Sequence, residues 1–239
     1  MNSKVRLYFS NKLASGTVSK LSLNQSHYVK NVIRLNQGDK ISIFNSKNGE
    51  WEAVILTHKK EFTEFKIEKQ SRLQEDGNNL WLAFSPIKKI PQDLMLQKTT
   101  ELGIKKFIPI LCERSVVREI NIERSNKIVI EASEQSNRIS VPEILKAQSL
   151  FAFLKNFPEN GHLIFCDINT VSSNLKKILS DKNPVCILVG PEGDFSEKER
   201  QFIVEQKNTV PISLAKNILR SETAAIAATT ILSFQLNFK

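Results

Sequence analysis

Val185-Cys186-Ile187-Leu188-Val189-Gly190-Pro191-Glu192-Gly193-Asp194-Phe195 is the stretch on which the fold turns. Five consecutive apolar residues read as a strand buried on both faces, as in a parallel sheet. Gly190 and Gly193 bracket Pro191 and Glu192, so the strand ends in a tight turn. Ser196 and Glu199 have the spacing of a capping box, which starts a helix there. Strand, glycine-rich turn and helix together make one unit of an α/β fold. In open α/β sheets ligands bind outside the carboxyl ends of the strands, where this turn would lie. An ordinary βα turn has the same pattern, so the ligand reading needs support from elsewhere in the chain.

Working outward, Leu80–Phe84, Phe107–Leu111, Leu163–Cys166 and Val210–Leu214 read as further strands. Helices are expected from Pro91 to Leu102, from a cap at Asn121 through Ser136, near Asn174–Leu179, after Ser196, and from Ser221 to Leu236. Regular alternation of strands and helices implies a mainly parallel sheet with helices on both faces. Before residue 74 the pattern differs. Val5, Leu7 and Phe9 alternate with Arg6 and Tyr8, and Val18–Leu23 is a weaker strand. Asn24 is a candidate cap for a short helix through Arg34. Strands follow at Lys40–Phe44, Trp51–Leu56 and Phe62–Ile67, with Asn48-Gly49 as a hairpin signal. Several short strands fit a small β-barrel. The class is therefore α/β in two domains, residues 1–73 and 80–239, joined by the polar linker 74–79.

Composition narrows the function. The chain has 239 residues, 41% hydrophobic and 25% charged, as expected of a globular protein with a sizeable core. No apolar run approaches a membrane span, and the N-terminus lacks a signal-like apolar region. Cys112, Cys166 and Cys186 are scattered, which fits reduced thiols in a cytoplasmic protein. His27, His58 and His162 lie far apart, so no metal site is expected. The formal charge is +9, and it is unevenly placed: residues 1–73 hold 13 Lys and Arg against 6 Asp and Glu. A basic first third suggests a polyanion-binding module, with nucleic acid favoured over solubility alone. Lys30 and Arg34 are among the cations that would decorate it.

A second stretch, Leu214-Ala215-Lys216-Asn217-Ile218-Leu219-Arg220-Ser221-Glu222-Thr223, joins the last strand to the last helix. Ser221 is a plausible N-cap, and Glu222 suits the positive helix end. Glu113-Arg114-Ser115 follows a strand's carboxyl end, and Glu134-Gln135 with Arg138 lies at a helix end. The lysine and hydroxyl of a phosphate-binding loop are missing after Gly193, and neither G-x-G-x-x-G nor G-x-S-x-G occurs.

Taken together these segments resemble the SPOUT superfamily of knotted methyltransferases, and within it the family that methylates N3 of a uridine in small-subunit ribosomal RNA. Arg6-Leu7-Tyr8-Phe9 and the stretch from His27 to Leu35 resemble its N-terminal PUA-like barrel. Gln97-Lys98-Thr99-Thr100-Glu101-Leu102-Gly103, Glu113-Arg114-Ser115 and Glu134-Gln135 with Arg138 resemble its middle motifs. Ile187–Gly193 and Leu219–Thr223 resemble its two cofactor-loop motifs. The chain departs from the family pattern at Asp194 and Ala215, where glycine is common, and at Asn217, where arginine is common.

The resemblance implies a PUA-like β-barrel followed by a SPOUT α/β domain with a parallel sheet and a deep C-terminal trefoil knot. It implies S-adenosylmethionine as cofactor, a homodimer, and ribosomal RNA or the assembled small subunit as partner, with neither membrane nor metal. Cofactor binding would fall to Cys166, to Gly190, Pro191, Glu192 and Gly193, and to Leu214, Ala215, Asn217, Ile218, Leu219 and Thr223. Uridine N3 is a poor nucleophile until its proton leaves, so a cation near O2 or O4 would stabilise the anion. Arg6, Arg138 and Arg220 are the candidates, with Glu222 a possible proton acceptor. RNA contacts would come from Arg6, Lys30, Arg34, Arg114 and Arg138.

Overall fold

The computed structural model describes residues 5–75, 77–170 and 183–237. The chain divides into two compact units, Met1–Asp76 with Ser133–Val141, and Gly77–Ala132 with Pro142–Lys239.

The first unit is a small β domain. Its strands are β1 (Arg6–Tyr8), β2 (Val18–Lys20), β3 (Lys40–Asn45), β4 (Gly49–His58) and β5 (Thr63–Arg72), in the order β1-β3-β4-β5-β2. β1 runs parallel to β3, and the other pairs are antiparallel. Alternate residues such as Leu7, Ile41, Ile43, Ile55, Phe65 and Ile67 share one core, and register shifts between β4 and β5 bend the sheet around it. The two ends of the strand path, β1 and β2, are not paired with each other among the described residues. The hairpin falls at Asn48-Gly49 as expected. Gly49 has φ 75°, and a Cβ there would lie 2.2 Å from the Arg72 carbonyl oxygen, so only glycine fits. The helix expected from Asn24 is instead α1 (Leu23–His27), continued by a π-helical turn at Tyr28–Val32. Its cap is Ser22 rather than Asn24, because Gln25 completes a capping box with Ser22.

The second unit alternates strands and helices: β6 (Leu80–Phe84), α2 (Lys89–Glu101), β7 (Lys106–Leu111), α3 (Ile122–Gln135), β8 (Glu143–Ile144), β9 (Gln148–Ser149), α4 (Leu150–Lys155), β10 (His162–Cys166), β11 (Val185–Val189), α5 (Glu197–Val204), β12 (Thr209–Ile212) and α6 (Ser221–Asn237). The helix expected near Asn174–Leu179 lies outside the described residues. The sheet order is β12-β10-β11-β6-β7-β8, with β9 also on β7, and every pairing is parallel. β11 is buried throughout, as five apolar residues in a row require. Pro211 is tolerated because β12 is an edge strand. From β11 the chain crosses past β10 to reach β12, so strand order reverses beside the carboxyl ends of β10 and β11. Such a reversal opens a crevice in doubly wound sheets.

α3 starts in the second unit, and its last turn belongs to the first. Asn121 caps its start, accepting from the Arg124 N–H at 2.9 Å. At its end Arg6 takes over the orphan carbonyls. Arg6 Nη1 donates to the Ser133 and Glu134 carbonyls, and Nη2 donates to the Arg138 carbonyl. Nε and Nη2 also grip the Glu50 carboxylate, both at 3.1 Å. No helix among the described residues is long and apolar enough to cross a membrane. Among the described residues no cluster of His, Cys, Asp and Glu could hold a metal ion.

Candidate functional site

The crevice at the strand reversal is a cavity of about 490 Å3, within the range of ~300–1,000 Å3 typical of small-molecule and cofactor sites. Three segments build it, one from the carboxyl end of each of three strands. The first, after β10, is Cys166-Asp167-Ile168. The second is the turn after β11, from Val189 to Phe195. The third, after β12, runs from Ile212 into the first turn of α6.

The turn after β11 owes its shape to local chemistry. The Asp194 N–H donates to the Pro191 carbonyl at 3.0 Å, closing a four-residue turn. Asp194 has φ 60°, in the left-handed region, and its carboxylate accepts the Phe195 N–H at 2.8 Å. Glycine adopts this conformation freely, and aspartate is one of the few residues that tolerate it. Phe195 is buried edge-on to Phe165, at 5.4 Å between ring centroids. A Cβ on Gly190 would lie 2.6 Å from the Phe195 ring, so glycine there lets the ring close over the strand end. Ser196 and Glu199 form the expected capping box and start α5. Ser221 was expected to cap α6. Its hydroxyl donates instead to the Gly190 carbonyl at 2.9 Å and so ties the third segment to the second.

The lining is mixed. Ile168, Leu214, Ile218 and Leu219 offer apolar surface, and Ile218 is largely exposed. Among the described residues, the lining holds three carboxylates, Asp167, Glu192 and Asp194, and one cation, Arg220. Asp167 is buried and paired with Arg200, and its Oδ1 accepts the Asn169 N–H at 2.9 Å. This pairing raises the Arg200 guanidinium above its ordinary value, chiefly through the hydrogen bond to Asp167. Cys166 is half-buried at the cavity edge, and desolvation pushes its thiol up to about 12, which keeps it protonated at neutral pH. An apolar wall with exposed carboxylates suits a ligand that joins an apolar body to a positive charge.

The residues expected from sequence separate into groups. Cys166, Gly190, Pro191, Glu192, Gly193, Leu214, Ala215, Asn217, Ile218, Leu219 and Arg220 all line the cavity. Thr223, expected to bind cofactor, is exposed and does not line it. The helix turns Ser221 and Ala224, three residues apart, toward the cavity and carries Thr223 away. Glu222 is half-buried in the first turn of α6 and is likewise outside the lining. Arg220 is exposed, and no ion pair among the described residues engages it. Arg114 donates to two carbonyls of the β11 turn. In the first unit, Lys30 and Arg34 are exposed on and just after the π-helical turn. Arg138 is half-buried beyond α3, and Nη2 donates to the Ser140 hydroxyl at 3.1 Å. Burial lowers its guanidinium to about 10, which leaves it charged at neutral pH.

Arg6 is employed differently from the expectation. All five of its N–H groups have acceptors, and its side chain is 12% exposed. It also stacks on Phe44, at 4.4 Å from the ring centroid. Its geometry is that of a helix cap and a buried ion pair. The cavity lining also holds residues outside the expected set, among them Asp167, Ile168, Phe195, Ser213 and Ala224. Asp167 and Ile168 were within reach, because the carboxyl-end rule applied to β11 and β12 holds equally for β10.

Residues 74–233 match the model of an RNA methyltransferase domain, and residues 21–68 match that of an RNA methyltransferase PUA domain. The chain is 36% identical over 228 residues to ribosomal RNA small subunit methyltransferase E of Rickettsia conorii, covering 93% of this chain and 92% of that protein. It is 29% identical over 224 residues to the protein of the same name from Bacillus subtilis, covering 87% of each. Among solved structures it is similar to ribosomal RNA small subunit methyltransferase E of Neisseria gonorrhoeae bound to S-adenosyl methionine. There the TM-score is 0.89 at 29% identity, with 98% of this chain and 99% of that chain covered. On the extent of these matches, the chain belongs to the RNA methyltransferase family.

Proposed function

We propose that this protein transfers a methyl group from S-adenosylmethionine to N3 of a uridine in small-subunit ribosomal RNA. One observation carries the reading: in a chain of this family, the loops after β10, β11 and β12 converge on one cavity of cofactor size. When bound, the cofactor supplies an electrophilic methyl group on a positively charged sulfur. The protein's share is position and electrostatics. Leu214, Ile218 and Leu219 give the adenine an apolar wall, and the 190–193 turn borders it. Glu192 and Asp194 favour the cationic end. Arg220, exposed at the rim, stabilises the uracil anion left when N3 loses its proton. Arg138, kept charged in the first unit, is the second candidate for an RNA contact, with Lys30 and Arg34 reaching phosphates.

The knot belongs to the same proposal. The Ser221 hydroxyl on the Gly190 carbonyl ties together the two loops that a knotted site would interlace. A homodimer is proposed because α2 and α6 pack side by side and leave Ile90, Leu94, Ile231 and Phe234 exposed, an apolar face for a second copy to cover. The cytoplasm is the proposed compartment. The test is transfer of labelled methyl from S-adenosylmethionine by the purified full chain, offered naked small-subunit RNA and assembled subunits. The proposal expects label in RNA with at least one of them. Cofactor binding without transfer to either would refute it.

A further inference from the structure

Glu113-Arg114-Ser115 follows β7 and is expected from sequence to meet RNA through Arg114. Its contacts run elsewhere. Arg114 Nη1 donates to the carbonyl of Gly193 at 3.2 Å and to that of Phe195 at 3.4 Å. Its stem lies against the same turn: a Cβ built on Gly193 would stand 3.3 Å from the Arg114 Cβ and 3.5 Å from its carbonyl oxygen. Gly193 thus turns its missing side chain toward Arg114. On one side, the Glu113 N–H donates to Glu199 Oε1 at 2.8 Å, while Oε2 accepts the Ser196 N–H at 2.9 Å. Glu199 is only 1% exposed, so this carboxylate is fixed. On the other side, the buried Ser115 hydroxyl accepts the Cys112 N–H at 2.9 Å and shares a hydrogen bond with Ser85 at 2.7 Å. The Ser85 N–H in turn donates to the carbonyl of Val189, the last residue of β11.

Through these bonds three successive residues are linked to the end of β11, to the turn and to the start of α5. Both carbonyls that Arg114 holds flank Asp194, the residue with left-handed backbone. Pulling both toward one guanidinium fixes the peptide plane that precedes Asp194 and the one that follows Phe195, and so brackets the left-handed residue. A guanidinium presents several donors in a rigid fork, whereas a lysine is a point donor on a more flexible stem. We infer that Arg114 is a positioning residue for the cofactor turn, holding the Gly193 and Phe195 carbonyls so that the turn is set before the cofactor arrives. Binding to a preset loop avoids the cost of ordering it. This role rests on reading the cavity as the S-adenosylmethionine site, and it removes Arg114 from the RNA contacts.

The test uses the full chain with Arg114→Ala and Arg114→Lys. Four quantities are measured on each: S-adenosylmethionine affinity by calorimetry, its dissociation rate, melting temperature without cofactor, and affinity for small-subunit ribosomal RNA across a salt series. Both variants should bind the cofactor about tenfold more weakly, or about 1.4 kcal/mol, mainly through faster dissociation. They should melt close to the parent and keep its salt slope. Unchanged cofactor affinity in Arg114→Ala overturns the inference. So does a salt slope that falls by about 0.7–0.9 in Arg114→Ala and is restored in Arg114→Lys, the mark of a phosphate contact. A fall in melting temperature that scales with the lost affinity also overturns it, making the residue a general brace. If the parent itself binds no S-adenosylmethionine, the cofactor reading fails first and this role with it.

Discussion

Replacing Gly190 with alanine adds one methyl group at the end of β11, and the structure sets the size of the response. The added carbon would stand 2.6 Å from Phe195 Cε2 and 3.0 Å from Cδ2. Carbon atoms rest at about 3.5–4.0 Å, so the ring must retreat by about 1 Å. It has little room, since Phe195 is buried against Phe165 and belongs to the core shared by Leu188, Phe153 and Ile203. Overpacking of this kind costs about 1–3 kcal/mol. In a chain of this size that lowers the melting temperature by roughly 2–4 °C per kcal/mol. The same displacement moves the turn that lines the cavity, and it disturbs the Gly190 carbonyl that receives the Ser221 hydroxyl. Cofactor affinity should therefore fall as well, by about tenfold. Melting curves with and without S-adenosylmethionine, with calorimetry on the folded variant, measure both effects. A variant that melts within a degree of the parent and binds cofactor equally well would refute the packing of Phe195 over Gly190.

Arg220→Ala should leave S-adenosylmethionine affinity within about threefold, because a cation is not needed to attract a sulfonium, while single-turnover methylation falls by about a hundredfold; equal losses in both would make Arg220 a brace for the loop. Arg6→Ala should cost about 3 kcal/mol in denaturant unfolding, since it strips a buried carboxylate of one partner and α3 of its cap. Arg72 still neutralises Glu50 at 3.3 Å, which holds the cost down, and unchanged stability with lost turnover would return Arg6 to the substrate. Burial raises the Cys166 thiol from the ordinary 9.0 to about 12. The folded state then binds the proton more tightly, so this stabilisation is complete below about pH 9 and is lost as pH rises toward 12. Cys166→Ala should flatten the alkaline fall in stability by about 1 kcal/mol per pH unit over that window, and parallel profiles for the two proteins would show that the thiol is not raised in the folded state.

Much of the second unit was legible because its signals are local. Five apolar residues identify β11, Ser196 with Glu199 starts α5, and Asn121 caps α3; each signal lies within one element. The cavity was legible for a related reason, since a strand's carboxyl end is marked in sequence by the turn that follows it. What escaped depends on distant partners. Nothing near Arg6 announces that its acceptors stand at Glu50 and at residues 133–138. Arg114 shows only a charge after a strand, and its carbonyl partners are about eighty residues away. Ser221 looks like any helix cap until the Gly190 carbonyl comes within its reach. Thr223 falls outside the cavity lining by helix phase, which a motif written as a string does not display. Short elements such as β8, β9 and α4 went unread because two to six residues are too few to establish a period.

The most direct measurement is mass-spectrometric mapping of nucleosides in small-subunit ribosomal RNA from cells with and without this gene. The proposed function predicts one N3-methyluridine that is present with the gene, absent without it, and restored by the parent but not by Arg220→Ala. An unchanged modification map, or loss of a methyl group from any atom other than uridine N3, would contradict it.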